Sequence, residues 1–130
     1  MKSFTQLVAL ARKLRSPTGC PWDKEQTLES LMPKLGEECE EINLAIQKKD
    51  AQNLSEELGD TLFVLIMLIQ IAQEKKLLTF GQVLRKIKQK IISRHSWVFG
   101  RHRGKITEVA EIKKQWHENK KREKRRKAKA

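Results

Sequence analysis

An all-α helical bundle is predicted for this 130-residue chain, and three observations predict it. Apolar residues recur at helical spacing along most of the sequence, with no two-residue alternation of the kind a half-buried strand needs. Helix breakers are few, with three prolines, six glycines and no tyrosine among the turn and sheet formers. Small polar residues stand in front of the apolar stretches, where helix starts need a cap.

The elements follow in order. Ser3 and Gln6 have capping-box spacing ahead of Phe4, Leu7, Val8, Ala11 and Leu14, so a first helix is expected there. Ser16-Pro17-Thr18-Gly19-Cys20-Pro21 ends it in an irregular loop. A second helix is expected from about Thr27 to Lys48, capped by Asp23 through Gln26, with Pro33 marking either a kink or a separate opening turn. Asp50 or Asn53 caps a third helix that reaches about Lys75. Thr79 with Gln82 caps a fourth, which carries Val83, Leu84, Ile87 and Ile91 and ends near Arg94. Phe99 to Gly104 reads as a loop, and Thr107 opens a last helix through Trp116.

The chain length suits one domain. The net charge of +12 is uneven, because ten basic residues from Lys113 onward face only Glu118 and Glu123 and hold about two-thirds of the excess. Residues 1–119 are therefore read as the folded domain and 120–130 as a polybasic tail, either disordered or an extended helix end with no core contacts. The start has no signal-peptide core, and Leu62 to Ile69 is too short an apolar run for a membrane span. Cys20 and Cys39 have neither zinc spacing nor a disulfide framework, which fits a reducing cytoplasm. Leu62 to Ile69 is apolar on every side of its helix. A subunit with 38% apolar residues has little with which to cover it all round, so a homodimer or higher homo-oligomer is expected.

The chemistry concentrates in four carboxylates. Glu38 and Glu41 form one pair at i, i+3, and Glu57 and Asp60 form another. Each pair therefore shares a helix face. Both Glu38/Asp60 and Glu41/Glu57 are centred on Lys49, so a chain reversal at Lys48-Lys49-Asp50 sets the acids opposite each other. Glu38 and Glu57 also lie on apolar stripes, where an unpaired carboxylate is costly. Glu40 and Glu56 point elsewhere. Converging carboxylates repel one another unless cations lie between them, and Mg2+ (or Mn2+ in its place) favours such oxygen donors.

Three blocks of this sequence resemble the MazG-type nucleoside triphosphate pyrophosphohydrolases. They are Gly19-Cys20-Pro21-Trp22-Asp23-Lys24-Glu25-Gln26-Thr27, then Glu37-Glu38-x-x-Glu41 followed by Glu57-x-x-Asp60, then Arg94-His95-x-x-Val98-Phe99-Gly100. The resemblance implies an all-α fold that dimerises by four-helix packing and Mg2+-dependent hydrolysis of nucleoside triphosphates to monophosphate and pyrophosphate. It implies that Glu38, Glu41, Glu57 and Asp60 hold metal, with Glu37 as a further acid that orients water or supports the ligands. Lys90 and Arg94 share a helix face and are candidates for gripping the triphosphate. Trp22 and Trp116 are candidates for packing the base or sugar, although each reads more readily as a core aromatic that needs no ligand. The third block departs from the family pattern. Ser93 stands where a basic residue is usual, and Ser96-Trp97 replaces a Pro-His pair. The competing reading is a degenerate member that binds nucleic acid, or acts as a regulatory module, through the basic tail.

Overall fold

The computed structural model describes residues 2–129, and among these every regular element is a helix. The helices are α1 (Lys2–Leu14), α2 (Pro21–Glu25), α3 (Leu28–Gln47), α4 (Ala51–Glu74), α5 (Phe80–Arg94), α6 (Ser96–Phe99) and α7 (Val109–Lys129). They divide into two compact units, one ending at Phe80 and one beginning at Gly81.

In the first unit α3 and α4 form the expected antiparallel hairpin. The reversal uses Lys49 at φ 55°, and the Asp50 carboxylate caps α4 by accepting from the Asn53 amide at 3.1 Å. Of the two expected caps, Asp50 is therefore the one used. Leu31, Ile66, Met67 and Ile71 form the core with Ala11 of α1, and Phe4, Leu7 and Phe80 pack around it. The core leaves part of α4 uncovered. Leu58, Leu62 and Leu65 are exposed along one stripe, and Met32 and Ile46 are exposed on α3.

Several local expectations are corrected. α1 already includes Ser3, so Ser3 lies inside the helix rather than at its cap. Thr27 and Ser30, not Asp23 and Gln26, make the capping box of α3, with reciprocal bonds of 3.0 and 2.8 Å. α3 continues through Pro33, because that capping box and the burial of Leu31 hold its first turns despite one lost amide donor. Phe99, expected to open a loop, instead ends a short helix, α6, that the sequence reading did not anticipate. α7 does not fade at Trp116 but runs on as helix to Lys129, so residues 120–129 take the helical form of the two expected, with a contact to α5 that neither expectation included. Its Lys and Arg residues are good helix formers, and Asn119 and Glu123 tie it to the end of α5. No helix among the described residues is long and apolar enough to cross a membrane.

Arg15 links the end of α1 to the end of α4. Its Nε lies 2.9 Å from Glu74 Oε2 and its NH2 group 2.9 Å from Glu74 Oε1. The Arg15 guanidinium holds the Glu74 carboxyl below its usual range, assisted by Gln70 and opposed by partial burial. A carboxyl whose folded pKa is depressed adds stability above its unfolded pKa of about 4.3, and that stability disappears as pH falls through the folded value. The melting temperature of the wild type should therefore exceed that of Glu74→Gln at pH 7. The gap should close below about pH 4. A gap that stays constant down to pH 3 would remove the ion pair as its cause.

Candidate metal and nucleotide site

The hairpin sets the acids. Glu38 stands about two and a half turns before the end of α3 and Glu57 nearly two turns into α4, so the antiparallel chains bring them near one another. Carboxylate oxygens of Glu38, Glu57 and Asp60 all lie within 4.8 Å of one another. Glu38 is only 6% exposed, Glu57 is half-buried and Asp60 is exposed, so the group opens from the core toward solvent. Glu41 lies outside this group of three and is exposed, yet it stands near enough for its charge to act on Glu57. Glu37, Glu40 and Glu56 are exposed too.

The electrostatics record the crowding. Glu57 is pushed up from the usual carboxylate range, first by its hydrogen bond with Glu38, then by burial and by the charges of Glu38, Asp60 and Glu41. Glu38 is held low, because Lys34 donates to it and outweighs the penalty of burial. Lys34 lies one turn earlier on α3 and places Nζ 2.9 Å from Glu38 Oε1. Its own pKa is raised, mainly by that hydrogen bond and by the Glu38 charge. One lysine thus offsets part of the charge of three carboxylates. The remaining donors are hard oxygens on a shared opening, which suits a small divalent cation and not a soft metal.

Beside the acids lies a cavity of about 240 Å³, lined by Lys34, Glu38 and Asp60 on its polar side and by Phe63, Val64 and Met67 on its apolar side. Trp22 and Asp23 of α2 complete its wall. Trp22 is 59% exposed, so it is not a core aromatic. Within the second unit Lys90 and Arg94 sit on α5 and Trp116 on α7, all half-buried. Arg94 Nε donates to Glu123 Oε2 at 2.8 Å, and its guanidinium carbon lies 5.4 Å from the Trp116 ring centroid. The Lys120 ammonium lies 5.0 Å from the same ring. His95 and His102 bond to the Ile91 carbonyl and to Ser96 Oγ, consistent with structural roles.

Sequence reasoning missed two parts of this arrangement. Lys34 was detectable as an i, i+4 partner of Glu38. Arg15 had no local signal, because its partners lie far along the chain. Besides Glu74, it donates to the carbonyls of Asp23 and Gln26, and so pins the segment that carries Trp22. Gly19 makes the tight entry to that segment possible. A Cβ there would come within 2.2 Å of the Leu14 carbonyl oxygen, a contact only glycine avoids. Arg15→Ala leaves Glu74 and two carbonyls without this donor. It should cost on the order of 2 kcal/mol and speed tryptic cleavage after Lys24. Unchanged cleavage there would show that α2 is held by other contacts.

The two acid pairs and Arg94 fall within a longer match. Residues 26–99 match the model of the MazG nucleotide pyrophosphohydrolase domain. The chain belongs to this family. A nucleoside triphosphate pyrophosphohydrolase/pyrophosphatase MazG of Thermotoga maritima is 47% identical over 97 residues, which are 75% of this chain and 38% of that protein. The nucleoside triphosphate pyrophosphohydrolase of Escherichia coli K12 is 39% identical over 100 residues, 76% of this chain and 38% of that one. Each match thus spans well under half of the relative's own length. A crystal structure of a mazG-related protein from Thermotoga maritima aligns with a TM-score of 0.76 at 31% identity, covering 90% of this chain and 98% of the other. The all-α architecture is thus that of a MazG relative. Most of the Trp22 segment and all of α7 lie outside the residues matched to the MazG domain.

Proposed function

We propose that this chain is a divalent-metal-dependent nucleoside triphosphate pyrophosphohydrolase that releases nucleoside monophosphate and pyrophosphate, with a role in clearing aberrant nucleotides. The observation that carries the reading is the convergence of Glu38, Glu57 and Asp60. Three carboxylates this close, one of them forced upward in pKa by the others, are poorly matched to an anionic substrate unless cations lie between. Glu38, Glu57 and Asp60, with Glu41 at the rim, are assigned as the residues that hold Mg2+, or Mn2+ in its place. When bound, such cations neutralise charge between carboxylates and phosphates and activate water.

The chain's own residues divide the remaining work. The acids fix where the triphosphate's charge is accepted, and Glu37 orients the attacking water. A water oxygen bonds to the α-phosphorus, the bond from that phosphorus to the bridging β-oxygen breaks, and pyrophosphate leaves as the water's proton passes to solvent. Phe63, Val64 and Met67 keep one side of the cavity apolar, which strengthens the electrostatics at its polar side. Trp22 offers an exposed ring to the base. Lys90 and Arg94 serve as phosphate-binding residues and Trp116 packs beside Arg94, which pairs with Glu123 in the absence of substrate. The catalytic part is assigned to residues 1–119, in a cytoplasmic homodimer.

The test is pyrophosphate release from a panel of ribo- and deoxyribonucleoside triphosphates. Chelation should abolish release, and added Mg2+ or Mn2+ should restore it. Divalent cation should also raise the melting temperature without substrate, because it relieves repulsion that exists only when the acids converge. Full activity in excess chelator, or release of orthophosphate instead, would sink the proposal.

A further inference from the structure

The C-terminal half of α7 is the most charged surface of the chain, and nothing in the hydrolytic reading uses it. Its inner face is occupied. Asn119, 5% exposed, donates to the Arg94 carbonyl at 3.1 Å and to Ser96 Oγ at 2.9 Å. Glu123 is spent on Arg94. These contacts fix the rotation of α7 about its own axis. At roughly 100° per residue, Lys124 and Lys127 then run along one flank and Arg122, Arg126 and Lys129 along the opposite flank. Lys121 and Arg125 fill the arc between. Because Glu123 faces inward, Glu118 is the one acid on the outer arc, and it stands 3.9 Å from Lys121.

We propose that this half of α7 is a sequence-independent binding helix for duplex DNA, seated in the major groove. A B-form major groove is about 12 Å wide and admits one helix between two phosphate walls. Basic residues on two opposite flanks match two such walls. A helix that met a flat anionic surface would need its charge on one side, and one that entered a membrane interface would need an apolar face. Past Trp116 there is no large apolar residue. The major groove of A-form RNA is too deep and narrow for the helix. Lysines and arginines of this kind neutralise phosphates without reading bases, so affinity should be steep in salt.

The experiment uses the full chain and a fluorescein-labelled mixed-sequence duplex followed by anisotropy. The same measurement is made on the single strand, and co-sedimentation is made with vesicles containing anionic phospholipid. The variant carries Lys124→Gln, Arg125→Gln and Lys127→Gln, which keep helix propensity and touch none of the proposed hydrolytic residues. Wild type should bind duplex more tightly than single strand. The triple variant should weaken duplex binding about tenfold or more, and the slope of log affinity against log salt should fall by at least roughly 1.8, since the flank residues Lys124 and Lys127 each lose a phosphate contact that contributes about 0.9. Helical content and pyrophosphate release should be unchanged. A control with Lys86→Gln and Lys88→Gln on α5 should bind as wild type. Duplex affinity that survives the triple variant overturns the assignment, as does equal weakening by the α5 control. Preference for single strand or for vesicles through the same three residues overturns the choice of partner.

Discussion

Glu57→Gln is expected to lower triphosphate hydrolysis by about a thousandfold or more while the protein stays folded. The side chain keeps its size and loses its charge. Glu57 is half-buried between Glu38 and Asp60, and its pKa is raised because those acids crowd it. Removing one negative charge therefore removes a metal donor and relieves a repulsion at the same time. Activity should collapse, whereas the melting temperature without metal should hold or rise. That opposition separates a site residue from a core residue, whose loss lowers both. Asp60→Asn should follow the same pattern. Glu38→Gln should lose activity equally but also some stability, since Lys34 loses its 2.9 Å partner. Glu41→Gln should fall between this group and the exposed controls Glu40→Gln and Glu56→Gln, which should stay near wild type. Kinetics and thermal melts of the six variants check the ranking. Equal behaviour across all six would mean that the geometry of the hairpin does not select the ligands.

Leu65→Lys is expected to convert a dimer into a folded monomer. Leu58, Leu62 and Leu65 lie on one stripe of α4 and stay 51%, 40% and 42% exposed in the single chain. Such an apolar row is a surface that a second copy could cover with its own equivalent row, as in the homodimer proposed above. Lysine at the end of the row must lose its hydration in a dimer and loses none in a monomer. Met67→Lys makes the contrast. Met67 is buried in the single chain, so lysine there should unfold the protein whatever its assembly. Sedimentation at micromolar concentration with far-ultraviolet circular dichroism distinguishes the two outcomes. A wild type that sediments as a monomer would end this account of the stripe.

Most of the helices were legible in the sequence because their causes are local. Apolar spacing and capping residues placed α4 and α5 to within a residue or two, and the reversal at Lys48 to Asp50 follows from the centred spacing of the acids. The errors also have local causes. Ser3 and Gln6 have capping spacing, but the helix already includes Lys2, so the spacing does not mark its start. Pro33 suggested a break, yet the Thr27–Ser30 box and buried Leu31 held the helix together. The tail was read as disordered, or as a helix end without contacts, because it lacks apolar residues. Its helix is held instead by Asn119 and Glu123, polar side chains whose partners lie more than twenty residues away.

By itself the sequence determined the all-α class, the hairpin, and which acids share a helix face, since each depends on period and on residues within a turn or two. The tertiary structure decided what those acids do to one another. Glu38, Glu57 and Asp60 make a tight group and Glu41 stands at its rim, although spacing alone treats the four alike. It also decided that Arg15 pins the Trp22 segment and that Glu123 turns inward to Arg94. These outcomes depend on distances between groups remote in the chain, and helical period carries no information about such distances.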